Sequence, residues 1–420
     1  MIMNVLIFLA GLAVYAGYGL TGLAVLLACT LLSYGLARIT GRCRWAMWLS
    51  VGIHVGLLLF LRGQQLVGLS LAAPLGVSYF TLMLISYNVD VYRGKYPAEK
   101  NLFRFAAYVS YMPHLFMGPI EGYDRLAPNL FENRSMSWSG ISSGAARFAW
   151  GLFKKLVIAA RAGVIISAIS ADPETYRGGY ALAAMLLYSV QLYSDFSGGM
   201  DMVLGGSEML GIHLSENFDA PFLSQSFQEF WRRWHMTLGT WLKNYVYIPL
   251  GGNRKGKLRK TLNLVATFLV SGLWHGSQYL LWGFFNGIFV ALGDRFRTKS
   301  KLLNRLGTCF LVSLLWCFYV WPDTLLALKM LGSVFTVFNY GEVAAGIGTL
   351  GLALSDWIVL GVALIILGLC DGNRDKLRGR FTALSPAWQT AGICTAALLV
   401  LVFGMYGIGF NASEFIYSRF

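Results

Sequence analysis

Long apolar windows recur along nearly the whole of this 420-residue chain, and they restrict its fold more than any other feature. A helix needs about 20 mostly apolar residues to cross the hydrocarbon of a bilayer. Windows approaching that length lie near 2–19, 20–37, 45–62, 72–92, 150–170, 178–204, 261–276, 278–294, 306–321, 355–370 and 387–410. With 56% apolar residues, 13% charged residues and a mean hydropathy of +0.57, the chain has too little polar surface for a soluble globule. The expected fold is an all-α polytopic membrane protein with about eleven transmembrane helices.

Charge then orients the spans. The net charge of +14 sits in short clusters between apolar runs: Arg38, Arg42 and Arg44; Arg93, Lys95, Lys100 and Arg104; Arg254, Lys255, Lys257, Arg259 and Lys260; Arg295, Arg297, Lys299, Lys301 and Arg305; Arg374, Lys376, Arg378 and Arg380. If the spans alternate in order, all of these fall on one side, which the positive-inside rule makes the cytoplasm of a multi-pass cell-membrane protein. The N-terminus is then inside, and the C-terminus and the 322–354 link are outside. This pattern accounts for the basic residues with the lipid bilayer alone, so no nucleic-acid partner is expected. The first 37 residues carry no charge and form an apolar stretch long enough for two spans, a hairpin rather than a cleaved signal peptide. The six cysteines show no CxxC or Cys/His spacing, so neither disulfides nor a metal site are expected.

Two stretches do not fit as ordinary spans. In 105–120, FAAYVSYMPHLFMGPI, Pro113, Gly118 and Pro119 interrupt the helical ladder and imply a re-entrant or broken helix. In 222–250, Phe227, Phe230, Trp231, Trp234, Leu238, Trp241, Leu242 and Tyr245 recur at three and four residues, while Glu229, Arg232, Arg233 and Lys243 take other faces. That pattern predicts an amphipathic helix lying at the interface or dipping inward. No repeat or separating linker is evident, so residues 1–420 read as one membrane domain, with a core at 72–294, a motif region at 222–276 and a tail at 411–420.

Polar groups that are costly at membrane depth concentrate in the motif region, and ionisable residues there mark candidate functional sites. His275, in SGLWHGSQ, lies about fifteen residues past Lys260, roughly 22 Å along a helix. It reads either as a satisfied histidine at a helix end or as a general base, because a desolvated imidazole resists protonation and can take a proton from a hydroxyl. Gly272 and Gly276 beside it would let a substrate or another backbone approach. His235 shares a helical face with Trp231, Leu238 and Leu242 and reads as an interfacial histidine or as a second polar group on a reaction channel. Arg232, Arg233, Trp234, Lys243 and Asn244 are candidates for the channel or for binding a donor, the cations either gripping phosphates or carrying ordinary membrane-surface charge. Asp195 and Asp201, in YSDFSGGMDM, need partners inside an apolar stretch and form either a structural polar knot or part of a site. His54 and His213 read as structural or interfacial. His114, in the broken segment, either packs or lines a cavity. Neither a P-loop nor a GxSxG nucleophile elbow is present.

FWRRWHMTLGTWLKNYVYIPLGGNRKG, followed about forty residues later by SGLWHG, resembles the membrane-bound O-acyltransferase family, on the bacterial branch that contains the alginate O-acetyltransferase membrane subunit. The resemblance extends to GVSYFTLMLISYNVDVYRGKYPAEKN, SYMPHLFMGPIEGYDRLAPNLFE, GLFKKLVIA, YSDFSGGMDMVLG and the terminal SEFIYSRF, nearly the whole chain. The D-alanyl transfer subunit for teichoic acids is similar in its WRRWH-like and WHG elements and less so in IPLGGN. The resemblance implies a ring of tilted helices around a central channel that joins a cytoplasmic acyl donor to an extracytoplasmic acceptor. It implies that His275 is catalytic and that His235 is the second important residue.

The function so implied is transfer of a small acyl group, acetyl first, from a cytoplasmic thioester to a hydroxyl of a cell-surface polysaccharide or a partner protein. The thioester, acetyl-CoA or an acylated carrier protein, is a substrate, and no permanently bound cofactor is expected. An extracytoplasmic esterase-like acyltransferase is the implied partner. The resemblance also makes Tyr417, near the end of SEFIYSRF, a candidate acyl relay, although Ser418 and Arg419 depart from the family's usual residues there. MNVLIFLAGLAVYAGYG resembles the family's second helix, which suggests that the outer wall is incomplete or closed by a partner. The alternatives are D-alanyl transfer to teichoic acid, a proton-coupled polysaccharide or lipid transporter, and a receptor or scaffold in which both histidines are dispensable.

Overall fold

A computed structural model describes residues 2–41, 43–64, 73–131 and 135–406. Every regular element among them is helical apart from one isolated bridge, Phe218 to Trp234. The chain groups into two compact units, Met1–Ile141 with Gly206–Glu216, and Ser142–Gly205 with Asn217–Phe420.

The first unit contains α1 (Ile2–Gly17), α2 (Leu20–Thr40), α3 (Arg44–Gly63), α4 (Val77–Tyr92), α5 (Leu102–Val109), α6 (Met112–Met117) and α7 (Tyr123–Phe131). Its centre is α4, in which only Val89 and Tyr92 escape burial. The segment expected to be broken is broken: Asn101 caps α5 by accepting from Arg104 N at 3.2 Å, and Pro113 sits in the first turn of α6, where its missing N–H costs least. His54 is fully buried and bonded through both ring nitrogens, to Ser33 Oγ at 3.2 Å and Ser50 O at 2.7 Å, which is a structural role. His114 is buried as well, with Nε2 at 3.1 Å from Val109 O, and His213 is exposed.

In the second unit, α8 (Trp138–Phe153) passes through a π turn, Lys154–Ala159, into α9 (Ala160–Ala171). Then follow α10 (Gly179–Met209), α11 (Phe227–Arg233), α12 (Met236–Leu242), a second π turn at Lys243–Tyr247, α13 (Gly256–His275) and α14 (Leu280–Leu292). The remainder is α15 (Lys301–Leu315), α16 (Cys317–Val320), α17 (Thr324–Thr336), α18 (Tyr340–Gly346), α19 (Leu354–Asp371), α20 (Arg374–Thr382) and α21 (Pro386–Phe403). Glycines allow two pairs of helices to touch backbone to backbone, as small residues do between membrane helices. A Cβ on Gly283 would run into Phe268 O, where α14 meets α13, and one on Gly198 would lie 2.8 Å from Gly151 O, where α10 meets α8.

Five described helical segments are long and apolar enough to cross a membrane: α2, α3, α15 with α16, α19 and α21. In α19 and α21 only 17% and 11% of the apolar window is buried, so Leu354, Ile365, Leu398 and Val402 present bare hydrocarbon. Lipid is the solvent in which such faces cost nothing. The chain is a multi-pass membrane protein.

Candidate active site

The stretch 222–250 does not form one amphipathic helix. Ser226 caps α11 by accepting from Glu229 N at 3.2 Å, while Glu229 Oε2 reaches back to Gln225 N at 2.9 Å, which fixes the start of the helix at Phe227. It stops after seven residues. Trp234 is extended, bridging Phe218, and His235 adopts a left-handed backbone at φ 46°, ψ 53° before α12 begins. A left-handed conformation costs a non-glycine residue on the order of 1 kcal/mol and persists where the surroundings hold it. Here Asp219 N donates to Arg233 O and Met236 N donates to Asn217 O, each at 3.0 Å. An upstream strand-like segment has taken over the backbone groups that a continuous helix would have paired internally.

The break aims His235 into a cavity of about 70 Å³. Trp231, Trp234, Leu238 and Leu242 line it with His235, so the face marked by three- and four-residue spacing survives the break. Only 4% of His235 is exposed. Phe196 of α10 meets its ring edge to face, with centroids 4.9 Å apart and planes at 83°. Its Nδ1 lies 3.3 Å from Asn217 Oδ1, the oxygen that also accepts from Thr237 N at 3.0 Å and Thr237 Oγ1 at 2.9 Å.

His275 reaches the same cavity from the end of α13. Gly276, at φ 144°, ends that helix, and α14 follows one 3-10 turn later. At Gly272 it is another backbone that comes close, Tyr279 O, within 2.5 Å of where a Cβ would stand. His275 is 7% exposed and walled by aromatic rings: Trp274 at 4.6 Å, Trp282 at 5.7 Å and Tyr319 at 5.9 Å between centroids. Trp282 and Trp316 stack at 6.1 Å and 20°, Tyr279 and Tyr319 at 4.3 Å and 19°. Trp231 donates from Nε1 to Asn286 Oδ1 at 3.0 Å, which fixes its indole against α14. The two histidines that chain order separates, forty residues apart, thus share one mostly aromatic cavity in which no lysine, arginine or carboxylate appears among the described lining residues. Such walls exclude water and strengthen any hydrogen bond or developing charge inside them.

The remaining sequence candidates lie outside that lining. Asp195 pairs with Lys155 Nζ at 2.6 Å, and Asp201 with Lys154 Nζ at 2.6 Å and Arg147 Nε at 2.9 Å, ion pairs that tie α10 to α8 and to the π turn after it. Arg233 pairs with Glu229 at 2.8 Å, and Arg232 and Lys243 are exposed, with Asn244 half-buried beside them. Tyr417 and the tail 411–420 lie outside the described residues. Sequence reasoning missed Asn217, Ser271, Trp282, Trp316 and Tyr319. The stretch around Asn217, LSENFDAPF, shows no periodicity, and Trp316 and Tyr319 sit in an apolar run that looks like any other span.

Residues 64–321, which include every lining residue, match the model of the membrane-bound O-acyltransferase family. The chain belongs to that family. It is an O-acyltransferase, an enzyme of a family whose relatives modify cell-envelope polymers. It is 34% identical to a probable alginate O-acetylase of Pseudomonas putida, over 99% of this chain and 94% of that one. It is 32% identical to a peptidoglycan O-acetyltransferase of Helicobacter pylori, over 63% of this chain and 57% of that one. With a teichoic acid D-alanyltransferase of Streptococcus thermophilus the identity is 30%, over 56% of this chain and 60% of that one.

Proposed function

We propose that this membrane O-acyltransferase moves a small acyl group, acetyl before D-alanyl, from a cytoplasmic thioester to a hydroxyl on the outer side, where the final acceptor is a cell-surface polysaccharide. The observation that carries this reading is the meeting of His235 and His275 in one aromatic cavity. The compact aromatic lining, with Trp231, Trp282 and Trp316 on its wall, suits a small acyl group. The activities named for the relatives, two acetyl transfers and a D-alanyl transfer, run the same way.

In this reading the imidazole of His275 accepts the proton of the incoming hydroxyl as its oxygen attacks the thioester carbonyl. The C–S bond then breaks, the ester leaves with the new C–O bond, and the thiolate recovers the proton from the imidazolium. His235 holds the reacting groups from the opposite wall. No covalent enzyme intermediate is needed at the histidines. The thioester is acetyl-CoA or an acylated carrier protein; Arg232 and Lys243, exposed beside α11 and α12, and the basic loop 253–260 suit its phosphates. About eleven spans around the channel, the N-terminus inside and the C-terminus outside, place donor and acceptor on opposite faces. An extracytoplasmic esterase-like partner completes delivery, with Tyr417 as the acyl carrier between the two.

The test is the alkali-labile ester content of the cell surface in wild type and in His275→Ala at equal membrane abundance. Loss of a general base costs about 100-fold or more, so ester should fall to background. Undiminished ester in the variant would sink the assignment. Identification of the released acid as acetate or D-alanine decides between the two acyl groups.

A further inference from the structure

The geometry points to Asn217 as a positioning residue that sets the tautomer of His235, keeping the proton on Nδ1 and the lone pair on Nε2. This rests on the reading of His235 as part of the transfer site, but its evidence is separate. Thr237 N is a backbone donor and can only donate, so the Asn217 atom 3.0 Å from it must be the amide oxygen. That same oxygen lies 3.3 Å from His235 Nδ1. An amide oxygen accepts and never donates; the ring nitrogen facing it therefore carries the hydrogen. In a neutral imidazole the other nitrogen is then the acceptor. In the transfer reading this leaves Nε2 as the ring atom able to accept a hydrogen bond from a group that His235 holds while His275 takes the proton.

Two features make this a built arrangement. The left-handed backbone at His235 brings the ring over Asn217, and that backbone is held by a different atom of the same residue, since Met236 N donates to Asn217 O at 3.0 Å. The main-chain carbonyl fixes where His235 sits, and the side chain fixes which nitrogen is protonated. Phe196 packs edge-on against the ring at 4.9 Å and opposes the flip that would exchange the nitrogens. Because the two roles use different atoms, a change of side chain at position 217 removes the tautomer control and leaves the main-chain bond in place.

The experiment uses the full chain in bilayers, uniformly labelled with 15N-histidine, and reads protonation at each ring nitrogen by solid-state NMR; His235→Asn identifies the His235 signals by their loss. The wild type is expected to show His235 with Nδ1 protonated, and Asn217→Asp, which keeps an acceptor oxygen, should keep that state. Asn217→Leu should move the proton to Nε2 or mix the two forms. In cells at equal membrane abundance, the rate of surface-ester formation should fall about 100-fold in Asn217→Leu, comparable to losing a positioned acid–base group, and recover at least tenfold of that in Asn217→Asp. His235 protonated on Nε2 in the wild type overturns the proposal, whether or not the leucine variant folds. So does an Asn217→Leu rate within threefold of wild type. A wild type with Nδ1 protonated that forms no surface ester would count against the transfer reading and leave the tautomer assignment standing.

Discussion

Trp316 and Trp282 bound the cavity as a stacked pair, and Trp231 is pinned edge-on to both, with centroids 6.4 Å and 5.6 Å away. Large flat side chains with two torsions each make a rigid wall, and in a space this small one ring decides what fits. Trp316→Phe removes one ring of the indole and keeps an aromatic surface facing Tyr319. We expect the variant to accept propionyl in place of acetyl at least ten times more readily than the wild type. The check is the propionate-to-acetate ratio in surface esters when cells are supplied with propionate. An unchanged ratio would mean that acyl size is set elsewhere. His235 and His275 stood out in the sequence because an imidazole is conspicuous among apolar residues. Asn217 did not: an asparagine in a loop is ordinary, and its importance comes from three donors converging on one oxygen from residues 18 and 20 positions away.

At the scale of helices, the site depends on how closely α13 and α14 run, since α13 ends on His275 and α14 brings Trp282. Gly283 faces Phe268 O, a main-chain oxygen that cannot turn aside as a flexible side chain would, and a Cβ added to Gly287 would stand 2.7 Å from Val265 Cα. Gly283→Val should force the helices apart, cost about 2 kcal/mol or more, and lower the thermal midpoint of the detergent-solubilised protein along with its activity. Gly332→Ala is the control. It sits inside α17, where an added Cβ meets nothing within 4 Å, so it should leave stability unchanged or slightly raised. The sequence located α13 and α14 as apolar windows and did not show that they touch through glycines. It also predicted one helix over 222–250 where there are two. Apolar spacing of three and four describes which residues share a side, and Trp231, His235, Leu238 and Leu242 do share one. It contains nothing about the main-chain bonds from 217–219 that interrupt the helix between them.

Across the whole molecule, the arrangement of basic clusters makes a definite claim about sidedness. In a cysteine-substituted background, Lys257→Cys should react with a membrane-impermeant thiol reagent only after the cells are permeabilised. Leu325→Cys, 77% exposed at the start of α17 in the link expected outside, should react in intact cells. The reverse pattern would overturn the orientation and, with it, the direction of transfer. The membrane class itself was legible because lipid imposes a requirement that acts on each segment alone: about 20 apolar residues in a row, with polar backbone paired inside the helix. The motif histidines were legible for a related reason, since desolvating an ionisable group is costly wherever it occurs. What only the tertiary structure decided is where those histidines meet. His235 is turned by a left-handed residue that Asn217 holds, His275 is delivered by a helix end packed on glycines, and Trp316 and Tyr319 close the far wall from more than 40 residues downstream of His275. These contacts join segments distant in sequence, and local pattern records the cost of burying a group without recording the partner that makes its burial possible.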